Sequence, residues 1–344
     1  MSETVTRSRR GRFLRFAAAF AALLTVASYI GVQYLTGGPH PTKCSVRAAG
    51  TAGGGARATY ELTPDQASNA ATISAVGVTR GMPERAVTIA LATAIQESGL
   101  HNLHDGDRDS LGLFQQRPSA GWGTQQQVLD PVYASTQFYK RLAKIPGYER
   151  LPLTVAAQQV QRSGFPEAYA KHEPDATLLA AAFTGLAPAV LSCPAPFDHA
   201  PGDPRTVRTA LTAAFGPKVL PAGSGTDTKH GSVPASASGT TELSASGATH
   251  AKTVKARPAV ISVPVRAAPG GGHGGTAGTT AAQRGWELAH WAVARAGTLH
   301  IDQVAYAGRV WSAADAGAGW QRPGKKSDES DKSSTSEVRI SIAP

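Results

Sequence analysis

Glu84-Arg85-Ala86-Val87-Thr88-Ile89-Ala90-Leu91-Ala92-Thr93-Ala94-Ile95-Gln96-Glu97-Ser98, closed by Gly99, is the stretch that decides the fold. Pro83 opens it, and Gly99 follows its last residue, where a left-handed cap favours glycine. Between Glu84 and Gln96 the one further charge is Arg85, so the pattern predicts a helix buried nearly all round. Glu97 then lies in the last turn, on one face with Ala90, Thr93 and Ala94, whose small side chains leave room for a ligand. Burial and the negative end of the helix dipole both disfavour an ionised carboxylate at such a place. A carboxylic acid kept protonated is what leaving-group protonation in glycoside cleavage requires. A solvent-facing Glu at a helix end is the other reading of the same residue.

Upstream of this stretch, Thr63, Pro64 and Gln66 supply an N-cap, a first helical residue and the far member of a capping box. That helix runs through Ala67, Ile73 and Val76 and stops at Gly81. Downstream, residues 101–124 lack periodicity and read as an ordered loop. Helices are expected at 130–144, 151–163 and 174–185, punctuated by Pro146, Pro166 and Pro188. The result is a mainly α domain over residues 60–200.

Gln96-Glu97-Ser98-Gly99-Leu100, followed by Gly112-Leu113-Phe114-Gln115, resembles the signature of soluble lytic transglycosylases and goose-type lysozymes. In that family a catalytic Glu followed by Ser ends a buried helix, and a Gly-Leu-Met-Gln-like segment lies downstream. The resemblance implies a lysozyme-like fold acting on the glycan strands of bacterial peptidoglycan. It makes Glu97 the general acid/base, gives Ser98 the task of holding its carboxylate, and places Gln115 along the glycan groove. The family's Tyr-Asn-Ala-Gly segment has its nearest counterpart in Val160-Gln161-Arg162-Ser163-Gly164, where Gln161 keeps a polar sugar contact but the aromatic is missing. A transglycosylase works with one Glu and the sugar's own N-acetyl group; inverting hydrolysis needs a second carboxylate. Asp105, Asp107 and Asp109 are the candidates for it, or simply caps for turn N–H groups.

Trp122, between Gly121 and Gly123, is either a stacking face for a sugar ring or a buried loop anchor. Leu111 and Gln116 stand where a calcium loop needs Gly and Glu, and His101 and His104 lack a third ligand. No metal and no cofactor is expected.

The chain has 344 residues and a formal net charge of +10. That excess suggests an acidic partner until its location is read. Arg7, Arg9, Arg10, Arg12 and Arg15 stand in a basic tail, whereas residues 60–193 carry ten Lys+Arg against twelve Asp+Glu. Without a basic aromatic patch, nucleic acid is excluded as a partner. The uncharged run Phe16–Leu35 is long enough to cross a bilayer. It predicts one transmembrane helix at 16–36 behind a cytoplasmic tail (1–15), with the body exported; a cleaved signal peptide is the alternative. A Gly-, Ala- and Pro-rich spacer is expected at 37–59. Cys44 and Cys193, the only cysteines, form a disulfide in an oxidising compartment or remain two buried thiols.

Residues 201–280 read as a largely disordered linker, with a helix at 207–215 and a strand-like 260–263 inside it. Residues 281–344 read as a small α/β domain. Gly285-Trp286-Glu287-Leu288-Ala289-His290-Trp291 through Gly308-Arg309-Val310-Trp311 resembles a C-terminal domain of exported bacterial wall-associated proteins, without the His-rich end seen in its relatives. The expected function is membrane-anchored cleavage of peptidoglycan glycan strands, with an inactive glycan-binding scaffold in wall assembly as the alternative.

Overall fold

The computed structural model describes residues 43–48, 59–164, 166–194, 200–220, 258–267, 279–323 and 335–344. Its centre is the stretch read first. Glu84–Ser98 forms helix α2, with Ala86 through Ile95 buried and Gly99 as a left-handed cap at φ 61°. Helix α1 (Pro64–Thr79) precedes it, and its capping box is made as expected: Thr63 accepts from the Gln66 N–H, and Gln66 accepts from the Thr63 N–H. Gln66 and Asn69 also donate to the carbonyls of Gly99 and Leu100 (both 2.8 Å), so α1 holds the turn that ends α2.

A short helix α3 (Gln125–Val128) packs on helix α4 (Pro131–Leu142), which with α5 (Leu153–Gln161) and α6 (Glu173–Phe183) packs on α2. A 3-10 segment, Pro166–His172, leads into α6. Helix α7 (Pro204–Phe215) packs on α1.

The expected mainly α architecture is corrected by two antiparallel sheets. The first has the order β2-β1-β3, from β1 (Cys44–Arg47), β2 (Thr59–Leu62) and β3 (Leu191–Ser192). Cys44 and Val46 are buried while Arg47 is exposed, and a four-residue strand carries too little alternation to reveal itself in sequence. It lies within the stretch read as a spacer. Cys44 and Cys193 are disulfide-bonded across this sheet.

The second sheet has the order β4-β7-β5-β6, from β4 (Ala259–Pro264), β5 (Ile301–Tyr306), β6 (Arg309–Ser312) and β7 (Glu337–Ile342). In β7, Val338, Ile340 and Ile342 are buried and alternate with half-buried Glu337, Arg339 and Ser341. Helix α8 (Ala281–Ala294) packs against β5 and β7 on one side and against α1 and α6 on another; the one-turn α9 (Ala296–Leu299) follows it. One continuous apolar core therefore runs from α2 through α8 to the second sheet.

The transmembrane part of the expected fold class is not supported. Among the described residues no helix is long and apolar enough to cross a membrane, and residues 16–36 lie outside them. Of the expected linker, α7 and β4 are regular structure, and residues 221–257 and 268–278 lie outside the described residues.

Candidate functional site

Glu97 is half-buried in the last turn of α2. Its Oε1 accepts a hydrogen bond of 2.5 Å from the hydroxyl of Tyr169, a side chain with no exposed surface. Tyr169 comes from the 3-10 segment that packs on α2 and α5. Its pKa is raised, first by burial and then by the hydrogen bond and the charge of Glu97, with Ser163 acting in the opposite sense. The phenol thus stays a protonated donor to Glu97. Next to it, His172 Nε2 lies 3.0 Å from Gln96 Oε1. The His172 pKa is lowered, chiefly by burial and secondarily by Lys171.

Ser98 takes another task than the one the resemblance implies. Its hydroxyl lies 2.8 Å from the Leu113 carbonyl and 3.0 Å from that of Ala94. It ties the end of α2 to the downstream loop instead of holding Glu97. That loop is shaped by bridges pairing Leu103 with Gly112 and Leu111 with Gln116. Phe114 is buried and stacks on Phe138 at 4.7 Å between centroids. Gln115 adopts φ 47°, a conformation L side chains seldom take, and its amide donates to the Gly112 carbonyl at 3.3 Å.

Gln161 donates to the Phe114 carbonyl at 2.7 Å, so it anchors the loop that carries Gln115. Trp122 is 7% exposed and Arg141 covers its ring with the guanidinium carbon 3.3 Å from the centroid. The loop-anchor reading of Trp122 is therefore the one its surroundings favour. Asp109 accepts from the Ser119 N–H (2.8 Å), Arg117 (2.9 Å) and the Ser119 hydroxyl (2.9 Å). These donors, the Ser119 N–H foremost, hold its carboxyl well below the usual range. Asp109 caps the turn at Pro118–Ala120, and Asp105 and Asp107 are exposed.

The structure thus brings Glu97, Ser98, Leu113 and the Phe114–Gln161 pair to one end of α2, and leaves Trp122 engaged elsewhere. Tyr169 escaped sequence reasoning. Among the described residues no group of three His, Cys, Asp or Glu is gathered as a metal would need. A pocket of about 450 Å³ lies on the α1 side of the turn after α2, lined by Asp65, Ser68, Asn69, His101, Asn102 and Leu103. It contains none of the expected site residues, and the chemistry argued for Glu97 outweighs its size.

A family model described as VldE, C-terminal domain, matches residues 269–334. That match covers α8, β5 and β6 and does not reach Glu97. No curated protein matches the chain.

Proposed function

We propose that the protein cleaves peptidoglycan glycan strands as a lytic transglycosylase, with Glu97 as the acid and then the base. The observation that carries this reading is the Tyr169 hydroxyl on Glu97 at the end of a buried helix. Glu97 protonates the glycosidic oxygen as the C1–O bond breaks and its electron pair passes to the departing sugar. The N-acetyl group of the cleaved residue stabilises C1 during this step. The Glu97 carboxylate then takes the proton of the same sugar's C6 hydroxyl, whose oxygen closes on C1 to give a 1,6-anhydro end. Tyr169 donates to Glu97 in its carboxylate form, the form present between the two half-reactions, and so favours charge where it develops.

A one-carboxylate route is supported by the state of Asp109, whose oxygens are taken by Arg117 and Ser119 and whose depressed pKa makes it a poor base for water. The missing aromatic at Val160–Gly164 is what favours the inactive-scaffold alternative. Tyr169 supplies an aromatic hydroxyl to Glu97 from farther along the chain, and so supports activity. The Cys44–Cys193 disulfide fits an oxidising compartment outside the cytoplasm.

The test is digestion of purified peptidoglycan by the full chain, with released fragments read by mass spectrometry. Fragments carrying 1,6-anhydro ends are expected. Reducing ends would replace transglycosylation by hydrolysis, and bound but uncut glycan would establish the scaffold.

A further inference from the structure

The C-terminal unit grips one end of a helix whose other end follows directly on the segment that carries Tyr169. Helix α6 starts at Glu173, which pairs with Arg85 of α2, and is entered through the segment carrying Tyr169 and His172. Where α6 ends, the C-terminal unit takes hold. His290 of α8, fully buried, donates from Nδ1 to the Ala182 carbonyl at 2.7 Å; a carbonyl can only accept, so the proton is on Nδ1. Gly185, at φ 73°, lies so close to the Gln283 backbone that a Cβ there would overlap the Gln283 carbonyl.

The grip continues along β3. Trp320 donates from its indole to the Leu191 carbonyl at 2.9 Å, and Trp311 to the Ser192 hydroxyl at 3.1 Å. Ser192 in turn donates to the Ala316 carbonyl at 2.5 Å. Trp286 and Trp320 pack edge to face at 5.1 Å, with His290 beside both. Behind this segment Cys193 is fixed to β1 by the disulfide. Every one of these donors is a ring N–H or hydroxyl in buried or half-buried surroundings, where losing a partner is costly. A module carried on a tether for binding a separate ligand has no need of such contacts.

We propose that the C-terminal unit is an intramolecular brace whose partner is the 182–192 segment of the same chain, and that through α6 it holds Tyr169 on Glu97. Eleven residues of helix separate the two ends of α6, a beam of about 16 Å. Packed helices of this length move as rigid bodies, so a shift at Ala182 is carried to the segment before Glu173. The bearing of the brace on turnover rests on the glycan-cleaving reading above; its mechanical content does not.

The experiment is hydrogen–deuterium exchange by mass spectrometry on the full chain, comparing wild type with Gly185→Val and His290→Phe. Gly185→Val forces the two surfaces apart, and His290→Phe removes one N–H while keeping a ring among the tryptophans. Exchange is expected to rise in both variants at 180–192 and also at 166–176, by about fivefold for the loss of a single buried hydrogen bond. If Gly185→Val fails to fold, His290→Phe alone decides. A rise confined to 180–192, or no rise in the deciding variant, overturns the brace. Kinetics on soluble glycan then separate brace from binding module. A loosened brace lowers kcat at constant KM, whereas a rise in KM at constant kcat marks a glycan-binding unit and overturns the proposal. If wild type shows no turnover, the exchange result still stands, so a failed functional reading is told apart from a failed brace.

Discussion

Tyr169→Phe removes one oxygen from the candidate site and nothing else. Tyr169 has no exposed surface, and its hydroxyl donates to Glu97 Oε1 at 2.5 Å. Phe fills the same space, so no cavity opens and the fold persists. A hydrogen bond to a charged group contributes about 1.5–3 kcal/mol, which corresponds to about 10- to 150-fold in rate if it is made fully in the transition state. Glu97 is only half-buried, and water takes over part of the donor's role in the variant. The loss therefore falls at the lower end, about tenfold. It should appear in kcat and leave KM unchanged, because the hydroxyl meets Glu97 and not the sugar. The assay is release of 1,6-anhydro fragments from soluble glycan chains, with circular dichroism recorded on the same samples. A variant with native dichroism that cuts within twofold of the wild-type rate would refute the assignment of Tyr169 to the catalytic geometry.

Three further outcomes follow from the same contacts. Cys44 and Cys193 close a loop with a sequence separation of 149, so replacing both by Ser should cost about 5 kcal/mol on the chain-entropy model; a urea midpoint unchanged from wild type would contradict this. Burial lowers the His290 pKa from 6.5 to about 4, against the hydrogen bond to Ala182, and raises that of Glu287 from 4.5 to about 7, against Arg284. Stability linked to His290 is complete above pH 6.5 and lost as pH falls to 4, whereas that linked to Glu287 is complete below pH 4.5 and lost as pH rises to 7. Each amounts to about 3 kcal/mol, so His290→Phe should gain that much relative to wild type between pH 7 and pH 4. A pH-independent difference in unfolding free energy would sink this reading. Finally, Trp122→Phe should leave glycan affinity within twofold, because Arg141 already covers the indole; a tenfold weaker dissociation constant by calorimetry would restore the sugar-stacking role.

Much of the helical half was legible because its signals are local. Thr63, Pro64 and Gln66 announce α1, Gly99 ends α2, and both behave as their residue types require. The alternation in Val338, Ile340 and Ile342 likewise announces β7. The unread features are those that join distant segments. Tyr169 stands 72 positions from Glu97, in a 3-10 stretch with no amphipathic period. The first sheet pairs Ser45 with Ser192 and Val46 with Leu191 through strands of four and two residues, too short to show alternation. Trp122 meets Arg141 and Gln161 meets the Phe114 carbonyl, contacts that no spacing encodes. The polar groups of α8 belong to the same class: Arg284 pairs with buried Glu287 and lies over Phe215 of α7, and His290 meets the Ala182 carbonyl of α6.

The proposed cleavage depends on the Glu97 carboxyl group, and one substitution addresses it alone. Glu97→Gln keeps the size and the acceptor for Tyr169 while removing the transferable proton. Wild type and variant would be incubated with peptidoglycan and the soluble fragments quantified by mass spectrometry. The expected result is 1,6-anhydro fragments from wild type and a loss of at least about a thousandfold in the variant, with glycan binding retained. Equal release by both proteins, or none from either while both bind, would contradict Glu97 as the acid that cuts the glycan.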